Sequence, residues 1–111
     1  MSSAPELRAV ALKAFMSGKF EDASLLYQEA VAVDPSDGES LRGLAMTLGR
    51  LGRTDEAVEW ARKLVAALPS DALAHTTLSM MLQRQGKIPE AEAAQAQART
   101  LGWKDQLKGK P

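Results

Sequence analysis

A six-residue phrase recurs in this chain at a fixed interval, and that interval limits what the chain can fold into. Gly18-Lys19-Phe20-Glu21-Asp22-Ala23 is followed by Gly52-Arg53-Thr54-Asp55-Glu56-Ala57, then by Gly86-Lys87-Ile88-Pro89-Glu90-Ala91. Successive glycines lie 34 residues apart both times. A constant period of this size marks stacked units, each unable to bury its apolar face alone and each covering its neighbour's. Stacks of this kind present extended binding surfaces far more often than catalytic clefts.

Each unit divides into two helices. In the second unit Leu41, Leu44, Ala45, Leu48 and Leu51 recur at three- and four-residue spacing, the signature of one buried helix face. Gly52 is placed to end that helix, because glycine enters the left-handed conformation without steric cost. Ala57, Val58, Ala61, Leu64, Val65 and Leu68 then form a second apolar face, and Pro69 closes it by disfavouring helical geometry in the residue before it. The first unit runs likewise from Leu7 through Gly18 to Pro35. Ser3 with Glu6, and Ser36 with Glu39, fit the capping box, while Ser70 or Asp71 can cap the third unit. Pro89 falls in a first turn, where its missing N–H costs least. The acidic pairs Glu21/Asp22 and Asp55/Glu56 also fall in first turns and complement the positive helix end, which argues against a catalytic carboxylate pair.

Composition narrows the chemistry. Apolar residues make up 45% of the 111-residue chain but aromatics only 5%, so alanine, leucine and valine must supply the core. The absence of cysteine excludes disulfides and thiolate chemistry together. Fourteen basic and fourteen acidic residues cancel, leaving no global field to attract nucleic acid or an anionic membrane. His75, the single histidine, has no companion ligand, so we expect no metal site, and no motif calls for a cofactor. The first residues lack a basic run followed by an apolar block, and no stretch reaches the length of a membrane span, so a cytoplasmic setting is expected.

The arrangement resembles the tetratricopeptide repeat (TPR) family. The first unit supplies Leu7, Val10, Ala11, Ala14, Ala23, Tyr27 and Pro35 at the family's positions. The second supplies Leu41, Leu44, Ala45, Leu48, Ala57, Ala61 and Pro69, and the third His75, Leu78, Ser79, Leu82, Ala91, Gln95 and, in place of proline, Trp103. The resemblance implies an all-α fold, a right-handed α-α superhelix (TPR solenoid) of three helix-turn-helix repeats in one domain. Repeat one is expected over 4–37, repeat two over 38–71 and repeat three over 72–105, with a short tail at 106–111. Glu92, Gln95 and Arg99 stand where the second unit has Val58, Ala61 and Val65, so the third unit reads as a polar terminal cap and the three repeats as a complete stack.

The resemblance also implies a protein partner held in the concave groove that the first helices line. Carried over by register, the groove positions are Arg8, Leu12, Phe15 and Met16; Glu39, Arg42, Met46, Gly49 and Arg50; and Leu73, Thr76, Met80, Gln83 and Arg84. Leu12, Met46 and Met80 form one row, a soft apolar strip able to accept varied side chains. Met16, Arg50 and Arg84 form another, and the flanking arginines are suited to carboxylates. Gly49 is expected to leave a gap at mid-groove. The first helices carry Arg8, Lys13, Arg42, Arg50 and Arg84 against Glu6 and Glu39, a net of +3, whereas the second helices are net acidic. Positions that match the two-carboxylate clamp of heat-shock co-chaperones hold Arg8, Leu12, Gly43, Leu73 and Thr77, and only Arg8 has the required chemistry.

These features predict a non-enzymatic protein–protein interaction module, an adaptor or scaffold binding a peptide or helix with apolar anchors and acidic residues. The alternative is an assembly subunit that self-associates or packs laterally through Trp60 or Trp103, or a secretion-type chaperone. Neither nucleic acid nor membrane insertion is expected.

Overall fold

A computed structural model describes residues 2–109. Six helices follow one another: α1 (Ala4–Met16), α2 (Phe20–Val33), α3 (Gly38–Arg50), α4 (Thr54–Ala67), α5 (Ala72–Gln85) and α6 (Ile88–Lys108). No strand forms among the described residues, so the all-α superhelix expected from the repeat is the fold observed.

The recurring phrase marks the turn inside each helix pair. Gly18, Gly52 and Gly86 have φ of 78°, 78° and 86°, which other residues adopt only under strain. The next residue's N–H in each case bonds back to a carbonyl five residues earlier, Lys19 to Ala14, Arg53 to Leu48 and Lys87 to Leu82. One tight turn is thus made three times. At the unit boundaries α2 stops at Val33 before Pro35, and α4 at Ala67 before Pro69.

Two sequence expectations fail at helix ends. Ser3 caps α1 by accepting the Glu6 N–H at 3.3 Å, and Asp71 caps α5 by accepting the Leu73 N–H at 3.0 Å. Ser36, however, does not cap α3. It turns back to Asp34, and the cap position belongs to Asp37, whose carboxylate binds Arg8 and Ser40 instead of the helix N–H groups. A charged donor outcompetes a neutral backbone one. The second failure is the tail. Helix α6 continues through Trp103 to Lys108, because that unit has no proline where the other two are stopped. Lys110 and Pro111, the rest of the expected tail, lie outside the described residues.

Every helix touches the one before it, and α1 also touches α3 as α3 touches α5. Among the described residues, the second helices α2, α4 and α6 make no such contacts with one another. The first helices are therefore the closer-spaced layer, and the stack curves with α1, α3 and α5 on its inner side. Leu41, Leu44, Leu48, Leu64, Met81 and Leu82 are fully buried between the layers, each worth about 1.5–3 kcal/mol relative to exposure. Ala11, Ala23, Ala45, Ala57, Ala61, Ala74 and Ala91 have no exposed surface, and their small side chains allow the close helix approach. At the far end Glu92 and Arg99 of α6 are exposed, at the register of the buried Val58 and half-buried Val65.

Candidate binding cleft on the inner face

The inner face carries a cleft of about 500 Å³ between α1 and α3. Leu12 and Phe15 of α1 and Met46 of α3 form its apolar walls, with Tyr27 of α2 behind them. Arg8, Glu39 and Arg42 stand at its rim, and Pro5, Ala9 and Gly43 complete the lining. Six of the residues placed in the groove by register (Arg8, Leu12, Phe15, Glu39, Arg42 and Met46) thus come together in one depression.

The others do not join it. Leu73, Thr76, Met80, Gln83 and Arg84 lie on α5, beyond the cleft. Met80 is half-buried and Leu73 exposed, while Thr76 spends its hydroxyl on the Ala72 carbonyl. Met16 is exposed at the end of α1. Arg50 lies over two rings, 5.7 Å from the centroid of Phe15 and 5.8 Å from that of Phe20. Those rings meet edge to face at 5.3 Å, so Phe15 is fixed from both sides.

The expected gap at Gly49 is absent. Gly49 is buried, and a Cβ there would come within 2.8 Å of Met81 Sδ. Its carbonyl accepts from Arg84 Nη1 at 3.1 Å, so the glycine serves close approach of α3 to α5. The space-making glycine is Gly43, where a Cβ would overlap the ring of Tyr27. Tyr27 is thereby drawn under the cleft, and burial pushes its phenol above the ordinary value. In the sequence Tyr27 stands only at a family position and Gly43 only at a clamp position. The cue was the pairing of the chain's one tyrosine with a mid-helix glycine.

The arginines are largely occupied. Arg8 bonds Asp37 at 2.7 Å and Glu39 at 2.9 Å, and Arg42 bonds Asp71 at 3.3 Å. Both arginine–aspartate pairs recur at the repeat period, each joining one first helix to the start of the next. Burial raises the Asp37 pKa, but hydrogen bonds from Ser40 and Arg8 and the Arg8 charge outweigh it, leaving Asp37 below the usual carboxylate range. The basic strip expected from the sequence is therefore mostly an internal ladder. Arg42 is less fully paired than Arg8: it makes the one contact at 3.3 Å, and its Nε has no hydrogen-bond partner among the described residues.

His75 places Nε2 2.8 Å from the Pro69 carbonyl, a local structural contact. Among the described residues, no three His, Cys, Asp or Glu side chains come together to hold a metal ion. No helix is long and apolar enough to cross a membrane.

The sequence matches the tetratricopeptide repeat over residues 10–72, and again over residues 76–102. The chain belongs to the TPR family. No curated protein matches it in sequence. Among solved structures it resembles the type III secretion translocator chaperone SycD of Yersinia enterocolitica, at 23% identity and TM-score 0.83, covering 97% of this chain and 78% of that one. MamA superposes with TM-score 0.87 at 20% identity, over 95% of this chain and 61% of MamA. The second TPR domain of Spaghetti (RPAP3) does so with TM-score 0.84 at 20% identity, over 90% and 93% of the two chains. At these identities the likeness is one of fold.

Proposed function

We propose that this TPR protein is a non-enzymatic adaptor or scaffold that seats a segment of a partner protein on its inner face. The observation that carries this reading is the cleft between α1 and α3, where Leu12, Phe15, Tyr27 and Met46 form an apolar pocket with charged groups only at the rim. Its volume suits one or two bulky apolar side chains. Methionine adapts to their shape. Leu12 is half exposed, at 50%, and gains most from being covered.

The rim adds a preference. Arg42, less fully paired than Arg8, is the cleft arginine that a partner's carboxylate or carbonyl can recruit. A peptide with apolar anchors and a nearby acidic residue fits better than a terminal acidic tail, because Arg8 is already committed to Asp37 and Glu39. Related folds also hold peptides: RPAP3 TPR domains were solved with an HSP90 peptide, and SycD with a peptide of the translocator YopD. The apolar cleft favours a partner of the internal-segment kind, and a chaperone for such a segment is one form of this reading.

A displayed peptide library selected on the wild-type chain supplies the probe. The best peptide is then titrated by calorimetry against wild type, Leu12→Glu and Met46→Glu, with circular dichroism confirming helicity. We expect at least a tenfold loss of affinity for both variants, since burying an unpaired carboxylate costs several kcal/mol. Equal affinity in the folded variants would remove the reading.

A further inference from the structure

The two ends of the stack differ in chemistry. At the α6 end the outward face carries Glu92, Gln95 and Arg99. At the α1–α2 end lies a second depression of about 580 Å³ whose floor is apolar. Val10 is 54% exposed there, although its counterparts one and two periods on, Leu44 and Leu78, are buried. Leu25, 60% exposed, stands where the second unit has the exposed Glu59. Ala14 and Leu26 are half-buried between them.

Charge on this face is arranged by helix. Lys13 of α1 and Lys19 of the turn border one side, and Asp22 and Glu29 of α2 border the other. None of the four forms an ion pair among the described residues. A two-fold axis parallel to the helices would set α1 of one copy over α2 of another, bringing lysines onto acids twice while Val10 and Leu25 meet at the centre. Head-to-tail stacking would instead press this apolar floor on Glu92, Gln95 and Arg99 of α6.

We propose that the α1–α2 end face docks a second copy of this chain in a closed, two-fold pair. This goes beyond the groove reading and uses different residues. Two helices of about 20 Å length side by side offer roughly 400 Å² per copy, which is small for a stable interface and implies a weak, concentration-dependent dimer. Symmetric self-complementarity is what a two-fold contact requires.

Sedimentation equilibrium of the full chain from about 10 to 500 μM tests it, the range that a weak dimer demands. We expect the weight-average mass to rise from 11.9 kDa towards twice that value and no further. Leu25→Glu and Lys13→Glu should each weaken association at least tenfold with helicity unchanged. Combining Lys13→Glu with Asp22→Lys, its level partner on α2 across the two-fold, should restore it. A mass fixed at 11.9 kDa, growth beyond the dimer, or variants that associate like wild type would overturn the proposal. Peptide affinity in the groove, measured separately, is expected to be the same in Leu25→Glu as in wild type.

Discussion

Asp37 is the residue on which the first two repeats meet. It joins Arg8 of α1 to Ser40 of α3, and these bonds hold its pKa below the ordinary carboxylate value against the opposing effect of burial. A depressed folded pKa stabilises the protein above the unfolded pKa of about 3.9, and that contribution is lost as pH falls through the folded value. Asp37→Asn should therefore cost about 1–2 kcal/mol at neutral pH, and progressively less below about pH 4. Urea unfolding of both proteins across that range reads the difference. Gly43 offers a second residue-scale prediction. Alanine there gains about 1 kcal/mol of helix propensity but must displace the buried Tyr27 ring, so Gly43→Ala should be net destabilising by about 1–2 kcal/mol in the same assay. Gly49→Ala meets only the flexible end of Met81, which can shift, so it should cost less than Gly43→Ala in the same assay.

At the scale of an element, α6 behaves as two parts. Ala91, Ala94, Ala98 and Leu101 are buried against the stack, whereas Trp103 is 65% exposed and Leu107 equally uncovered. Beyond Gly102 the helix is exposed, and isolated helical turns contribute little stability. Removing residues 103–111 should change unfolding free energy by less than about 0.5 kcal/mol, while Leu101→Ala should cost about 2 kcal/mol or more. Chemical denaturation of the two variants checks both. The same comparison explains why the period did not reveal the helix end: the register marks where units pack, and the extension is mostly exposed.

The whole molecule is a line of units, and a residue's energetic weight follows from having neighbours on both sides. Leu44 and Val10 hold equivalent places in successive repeats, but Leu44 is fully buried and Val10 half exposed. Leu44→Ala should cost about 2–5 kcal/mol, and Val10→Ala less than about 1 kcal/mol, measured by guanidinium unfolding. If both cost the same, the line-of-units description fails. The arginine–aspartate ladder works at this scale too. Arg8–Asp37 and Arg42–Asp71 tie consecutive first helices, and the series ends where Thr76 takes the next arginine's place.

The amino-acid sequence by itself determined the helix pairs, their glycine turns and the proline stops of the first two units. These are local signals: three- and four-residue apolar spacing and backbone preferences act within one helix or turn, and the period copies them. Tertiary structure decided which inner-facing residues form a cleft. Arg8 and Arg42 looked free because their partners lie 29 residues onward, across a whole second helix, and only the curvature brings those carboxylates near. The pairing was visible in principle, since arginine and aspartate both recur at the period, but spacing alone does not say which charges touch. Gly49 and Gly43 were likewise indistinguishable until Met81 filled the space at one and Tyr27 at the other. Volume between elements is a property of how they dock, which no single helix encodes.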